Sequence, residues 1–182
     1  MMHSSYIYTG AFETCKRNAY NSGVRREDAR LEIFMRLTRY TDYAMRVLLY
    51  LGARQDRLCS IAEISGAYGV SQNHLMKVVS DLVNAGYLVS VRGRFGGVRL
   101  ARSPADINIG AVVRHTEDGF DLVDCSSCVI APACGLTGAL HQALAAFMQV
   151  LDGYTLETLL ARRADMAGLF AQIETAPKPA EG

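Results

Sequence analysis

Apolar positions along this chain recur with helical spacing, but only from its second fifth onward. Ala44, Val47, Leu48 and Leu51 stand at i, i+3, i+4 and i+7, which predicts a first helix from near Thr41 to Gly52. Ser60-Ile-Ala-Glu63 has the form of a capping box, so a second, short helix should begin at Ser60 and end near Gly69. Ser71 is placed to cap a third helix, with Leu75, Val78, Val79 and Leu82 turned inward and Gly86 closing it. Tyr87 to Arg92 is then rich in β-branched residues, Gly93 to Gly97 reads as a turn, and Val98 to Ala101 returns, together a hairpin. Ser103-Pro104 should start a further helix reaching about His115. Leu140, Leu144, Phe147, Met148 and Leu151 form a last strong stripe.

The ends lack this order. Residues 1–34 show no clear period and include the mixed-charge run Arg25 to Arg30, so they are expected to be an extension, disordered or foreign to the native protein, ahead of a start at Met35. Residues 174–182, with Pro177 and Pro179, read as a disordered tail. The expected fold is mainly α with a small β-hairpin. A winged helix-turn-helix unit occupies 35–102, a linking helix and cysteine loop 103–136, and a long helix with a C-terminal helix 137–173.

Composition sharpens this only locally. The 182 residues are 50% hydrophobic and 20% charged with a formal charge of +1, which suits one folded domain with no global attraction to polyanions. No apolar leader opens the chain, which makes a cytoplasmic location the expectation. The stretch 125–151 carries no formal charge and is long enough to span a bilayer, but Pro132, His141, Gln142, Gln149 and three cysteines argue against a membrane.

Helix, helix-turn-helix and hairpin in this order suit double-stranded DNA. Ser71, Gln72, Asn73, His74 and Lys77 occupy the start of the third helix, where amide side chains can read adenine edges and a lysine can meet guanine or phosphate. Between Gly86 and Ala105 stand Arg92, Arg94, Arg99 and Arg102 with no Asp or Glu. Arg94, at the slim hairpin tip, suits a narrow minor groove. Either feature alone has a plainer account, a helix cap or a charged sheet edge that resists aggregation.

The five cysteines include Cys125, Cys128 and Cys134 in a C-x2-C-x5-C loop. Structural thiols, a zinc site and a redox dithiol are alternatives. Zinc lacks a second C-x-x-C pair, and the loop does not open a helix after a strand as redox pairs do. An iron–sulfur cluster fits this spacing best. Its expected type, which the spacing does not fix, is 4Fe–4S rather than 2Fe–2S. No Ser/His/Asp constellation, phosphate loop or nucleotide fingerprint marks an enzyme.

The run Met35 to Arg46, the segment Val70 to Lys77, the wing Arg92 to Gly97 and the loop Cys125 to Leu136 together resemble the Rrf2 family of dimeric winged-helix regulators that carry iron–sulfur clusters. The resemblance covers about residues 35–161 and is strongest to the nitric-oxide-sensing branch. It implies a homodimeric repressor on a palindromic operator, with the cluster held by Cys125, Cys128 and Cys134 and nitric oxide as the signal that releases nitrosative-stress genes. It also implies an oxygen ligand from the partner chain at Asp42, whose plainer role is a carboxylate at a helix N-terminus. The cluster-biogenesis branch places a histidine three residues after the last cysteine, where this chain has Thr137. An iron- or redox-responsive sister and a zinc-stabilised module are the alternatives.

Overall fold

The computed structural model describes residues 36–175, so the expected extension at 1–34 and the end of the expected tail, 176–182, lie outside the described residues. The chain builds α1 (Arg39–Ala53), α2 (Ile61–Tyr68), α3 (Gln72–Asn84), β1 (Leu88–Val91), β2 (Gly97–Leu100), α4 (Ile109–Thr116), α5 (Leu136–Asp152), α6 (Leu156–Leu159) and α7 (Arg163–Thr175).

The first helix starts two residues before the apolar stripe predicts, because Thr38 caps it: its Oγ1 accepts from the Thr41 N–H at 3.3 Å. The predicted stripe of Ala44, Val47, Leu48 and Leu51 is buried, and Tyr50 is buried with it. Ser60 caps α2 by accepting from the Glu63 N–H. The carboxylate of Glu63 also accepts from Tyr50 Oη at 2.7 Å and from Arg57, tying α2 to α1. Ser71 occupies the N-cap of α3, but its hydroxyl makes no capping bond.

β1 and β2 pair antiparallel with Leu88 opposite Leu100 and Val91 opposite Gly97. The wing is anchored to the helices through Cys59, whose N–H and C=O both bond Val98 at 3.0 and 2.8 Å. Cys59 is buried, which makes this thiol part of the core.

The predicted helix from Ser103 to His115 is broken. Pro104–Asp106 forms one 3-10 turn, Ile107 and Asn108 are extended, and α4 restarts with Asn108 as its cap. The cause is tertiary. Ile107 O accepts from the Leu156 N–H at 2.8 Å, the Ile109 N–H donates to Tyr154 O at 2.9 Å, and Asn108 Nδ2 donates to Asp152 O at 2.7 Å. Arg114 then grips both oxygens of Asp152 at 2.6 Å. The close approach of α4 to the end of α5 requires Gly110, where a Cβ would fall 2.1 Å from Asp152 Oδ1.

The long helix α5 is the least buried of the predicted stripes. Met148 is enclosed and Leu144 and Leu151 are half-buried, but Phe147 and Val150 face outward. Among the described residues no helix is long and apolar enough to cross a membrane. The final helix α7 returns to α1 and α2, seating Phe170 against Tyr50 (ring centroids 4.8 Å apart) and Tyr68 (5.5 Å), while Arg163 Nε donates to Ala53 O.

Candidate functional site

Burial of Leu75, Val78, Val79 and Leu82 against the core turns the opposite side of α3 to solvent. Ser71, Gln72, Asn73, His74 and Lys77 are all exposed, as a reading head requires. The open face at i, i+3, i+4 and i+7 from Asn73 also includes Met76 and Ser80, beyond the start of the helix. Met76 is 45% exposed, an apolar group suited to a thymine methyl.

His74 is not a free tip. Its ring stacks on Tyr43 of α1 with centroids 6.3 Å apart, beside a cleft that Arg39, Tyr40 and Lys77 help line. The sequence signal for this neighbourhood is the spacing of Tyr40 and Tyr43, three residues apart on one side of α1.

The wing keeps only part of its predicted charge for a polyanion. Arg92, Arg94 and Arg99 are exposed. Arg102, exposed as well, donates through Nε and Nη2 to Gly86 O at 3.0 and 2.8 Å and lies over the Tyr87 ring, 4.9 Å from its centroid. It satisfies carbonyls beyond the end of α3, a structural task the charge count could not reveal.

The cysteine loop leaves α4 at Glu117. Asp124 folds its entry by accepting from the Ser126 hydroxyl and N–H at 2.6 and 2.9 Å, bonds that hold its carboxyl below the usual carboxylate range. Consecutive turns follow, with the Cys128 N–H on Cys125 O and the Cys134 N–H on Ala131 O, both at 3.3 Å. Cys125 and Cys134 are half-buried, Cys128 is exposed, and none is in a disulfide. A cleft of about 420 Å³ opens beside Cys125, bounded by residues 120–125 and by Thr137, Leu140 and His141 of α5.

Among the described residues no three His, Cys, Asp or Glu side chains converge as a metal site, so one chain does not bring the three sulfurs together with each other or with Asp42. Asp42 sits in the first turn of α1 and accepts from Arg46 Nε at 2.9 Å. The donor set itself fits a cluster: three free thiols within ten residues, in a segment with no formal charge to compete for them.

The loop is tied to the reading head through the last turn of α4. His115 Nε2 pairs with Asp81 Oδ2 of α3 at 2.9 Å. Burial, together with the same carboxylate, pushes the nearby Tyr40 hydroxyl up to about 12. Beside them, Glu117 Oε1 accepts from the Thr38 N–H and hydroxyl at 2.8 and 3.1 Å.

The family model described as Rrf2, an iron-dependent transcriptional regulator, matches residues 37–162. The chain belongs to the Rrf2 family. It is 49% identical over 144 residues to the HTH-type transcriptional regulator NsrR of Geobacillus kaustophilus, across 76% of this chain and 98% of the relative. It is 48% identical over 146 residues to NsrR of Bacillus subtilis, across 77% of this chain and 100% of the relative. Among solved structures, CymR, the global cysteine regulator of B. subtilis, superposes with a TM-score of 0.58 at 26% identity over 74% of this chain and 98% of that one. T. potens IscR, at 23% identity and a TM-score of 0.59 over 81% and 94%, shares the fold. This Rrf2 chain is therefore a DNA-binding transcriptional regulator and not an enzyme, with the mainly helical winged fold its periodicity predicts.

Proposed function

We propose that this regulator is a cytoplasmic homodimeric repressor of nitrosative-stress genes, in which Cys125, Cys128 and Cys134 hold a 4Fe–4S cluster and nitric oxide relieves repression. The observation that carries the reading is the position of the cysteine loop: it begins where α4 is bonded to both α1 and α3. When bound, the cluster would supply irons open to nitric oxide. The chain's own part is mechanical. Thiolates gathered around one centre fix the course of the loop, and the loop fixes the last turn of α4. His115 and Thr116 then hold the start of α1 and the last turn of α3 in one arrangement. A coupling of ~3 kcal/mol through such a contact set changes operator affinity by over a hundredfold.

Dimerisation is assigned to the outward face of α5, where Leu136, Phe147 and Val150 are exposed. Pairing this helix about a two-fold axis suits a palindromic operator, with each α3 in a successive major groove. Ser71, Gln72, Asn73, His74 and Lys77 then serve base edges and phosphates, while Arg92 and Arg94 serve the groove beside them. Asp42, in the first turn of α1, is assigned as the oxygen ligand to the partner's cluster, exchanging Arg46 for iron.

The test is operator binding by anaerobically purified protein, with iron and sulfide counted, before and after stoichiometric nitric oxide. Loss of binding supports the reading; binding that ignores nitric oxide removes the sensor. The family model's description as iron-dependent favours a second reading, response to iron supply. In that case chelation alone, without nitric oxide, releases the operator at matched cluster content.

A further inference from the structure

Two side chains of opposite character form the very tip of the wing. The Gly96 N–H donates to Gly93 O at 3.0 Å, closing a four-residue turn whose corner positions are Arg94 and Phe95. The turn is tight because Gly93 takes φ +115° and because Gly96 leaves no room for a Cβ, which would lie 2.2 Å from Val91 O. Phe95 is thereby held out with 86% of its surface exposed, its ring 5.8 Å from the Arg94 guanidinium carbon.

We propose that Phe95 is a minor-groove wedge that inserts between two base pairs of the operator, partly unstacks them and bends the duplex. The proposal rests on the assignment of the wing to DNA. Charge selects the occupant: Arg94 lies beside the ring, Arg92 and Arg99 are exposed on the same hairpin, and no Asp or Glu lies between Gly86 and Ala105. A groove lined by phosphates draws those cations in, and the one apolar surface available inside it is the stacked bases. A slim turn carrying one arginine and one aromatic ring matches that geometry, since apolar side chains inserted at a base step kink DNA toward the major groove. The energy spent depends on the step unstacked, so the wing reads sequence through deformability: TA and CA steps open most easily.

The experiment uses the full, anaerobically purified protein and a duplex it selects from a random pool, with bending read by energy transfer between end labels. Wild type should bend the duplex by ~20–90°. Phe95→Ala should lose most of the bend, and Phe95→Leu should keep part of it. Replacing the flexible pyrimidine–purine step under the wing with a less deformable step that does not form an A-tract should weaken wild-type binding roughly tenfold and leave Phe95→Ala unaffected. Unchanged thermal melting of Phe95→Ala confirms an intact fold. Binding without a bend, or a bend that survives in Phe95→Ala, overturns the wedge while leaving the wing on DNA. A bend that survives together with Phe95-dependent self-association of the free protein also overturns it and assigns the ring to a protein contact. Failure of wild type to select any duplex overturns both the wedge and the DNA assignment of the wing.

Discussion

The hydroxyl of Thr41, in the first turn of α1, donates to the hydroxyl of Thr116, in the last turn of α4, across 2.8 Å, and both residues are buried. Thr116 in turn donates a hydrogen bond to Val112 O at 3.0 Å, so the pair forms a short hydrogen-bonded chain inside the fold. Thr116 stands one residue from the start of the cysteine loop and Thr41 five from the Arg46 that holds Asp42, while the two threonines are seventy-five positions apart in the chain.

Thr116→Val keeps the shape and removes the acceptor for Thr41. A buried hydroxyl that loses its partner costs about 1–3 kcal/mol. Thermal unfolding should shift down by roughly 2–12 °C for a domain of this size. Thr41→Val with Thr116→Val should cost less than the two single changes summed, because the bond between the two hydroxyls is then lost only once. Strict additivity in urea unfolding would show the two groups do not interact.

Cys128→Ala should yield protein without visible cluster absorption and with operator affinity unresponsive to nitric oxide. Cys59→Ala, in contrast, should keep the colour, because that thiol is enclosed behind the wing. A coloured Cys128→Ala protein would reject the ligand assignment.

Asp42→Asn should change the fold little, since its pair with Arg46 is exposed and such helix pairs contribute about 0.3–0.5 kcal/mol. If Asp42 is the oxygen ligand, the same variant should change the absorption spectrum of the cluster and quicken its loss in air. An identical spectrum and lifetime would leave Asp42 as a helix-terminus carboxylate only.

Glu63 links stability to acid. Burial alone would raise its carboxyl, but hydrogen bonds from Arg57 and Tyr50 outweigh burial and lower it below the ordinary 4.5. A carboxyl depressed in the folded state stabilises fully above the unfolded value, and that stability is lost as pH falls through the folded one. Glu63→Gln should be less stable than wild type at pH 7, and urea midpoints of the two should converge as pH drops below about 4.5. A gap that stays constant with pH would assign the contribution to packing.

The wing arginines should separate by task. Arg94→Ala should weaken operator binding and reduce the slope of log affinity against log salt by about one. Arg102→Ala should lower the melting temperature and leave that slope unchanged, because its guanidinium is committed to Gly86 O. Equal salt slopes for wild type and Arg94→Ala would place Arg94 outside the phosphate field.

Much of the architecture was written in local pattern. The stripes of α1 and α3 mark the faces that leave water, Ser60 marks where α2 starts, and the glycines at 93, 96 and 97 mark the turn of the wing. Side chains at the start of α3 were legible as exposed for the same reason: the inward positions on the helix were already taken.

Periodicity reports that a residue seeks an apolar neighbour but not which neighbour it finds. Only the tertiary structure could break the helix at Ile107 and Asn108, because the competing hydrogen bonds come from Tyr154 and Leu156, far along the chain. Only it could divide the α5 stripe into Met148, covered by its own chain, and Phe147 and Val150, left facing out. Charge behaves likewise: four wing arginines are equal in sequence, yet carbonyls brought close by the end of α3 claim Arg102 and leave three for a partner. Local propensity costs little to satisfy within a few residues, whereas the partner of each buried face and each donor is chosen by the whole chain closing on itself.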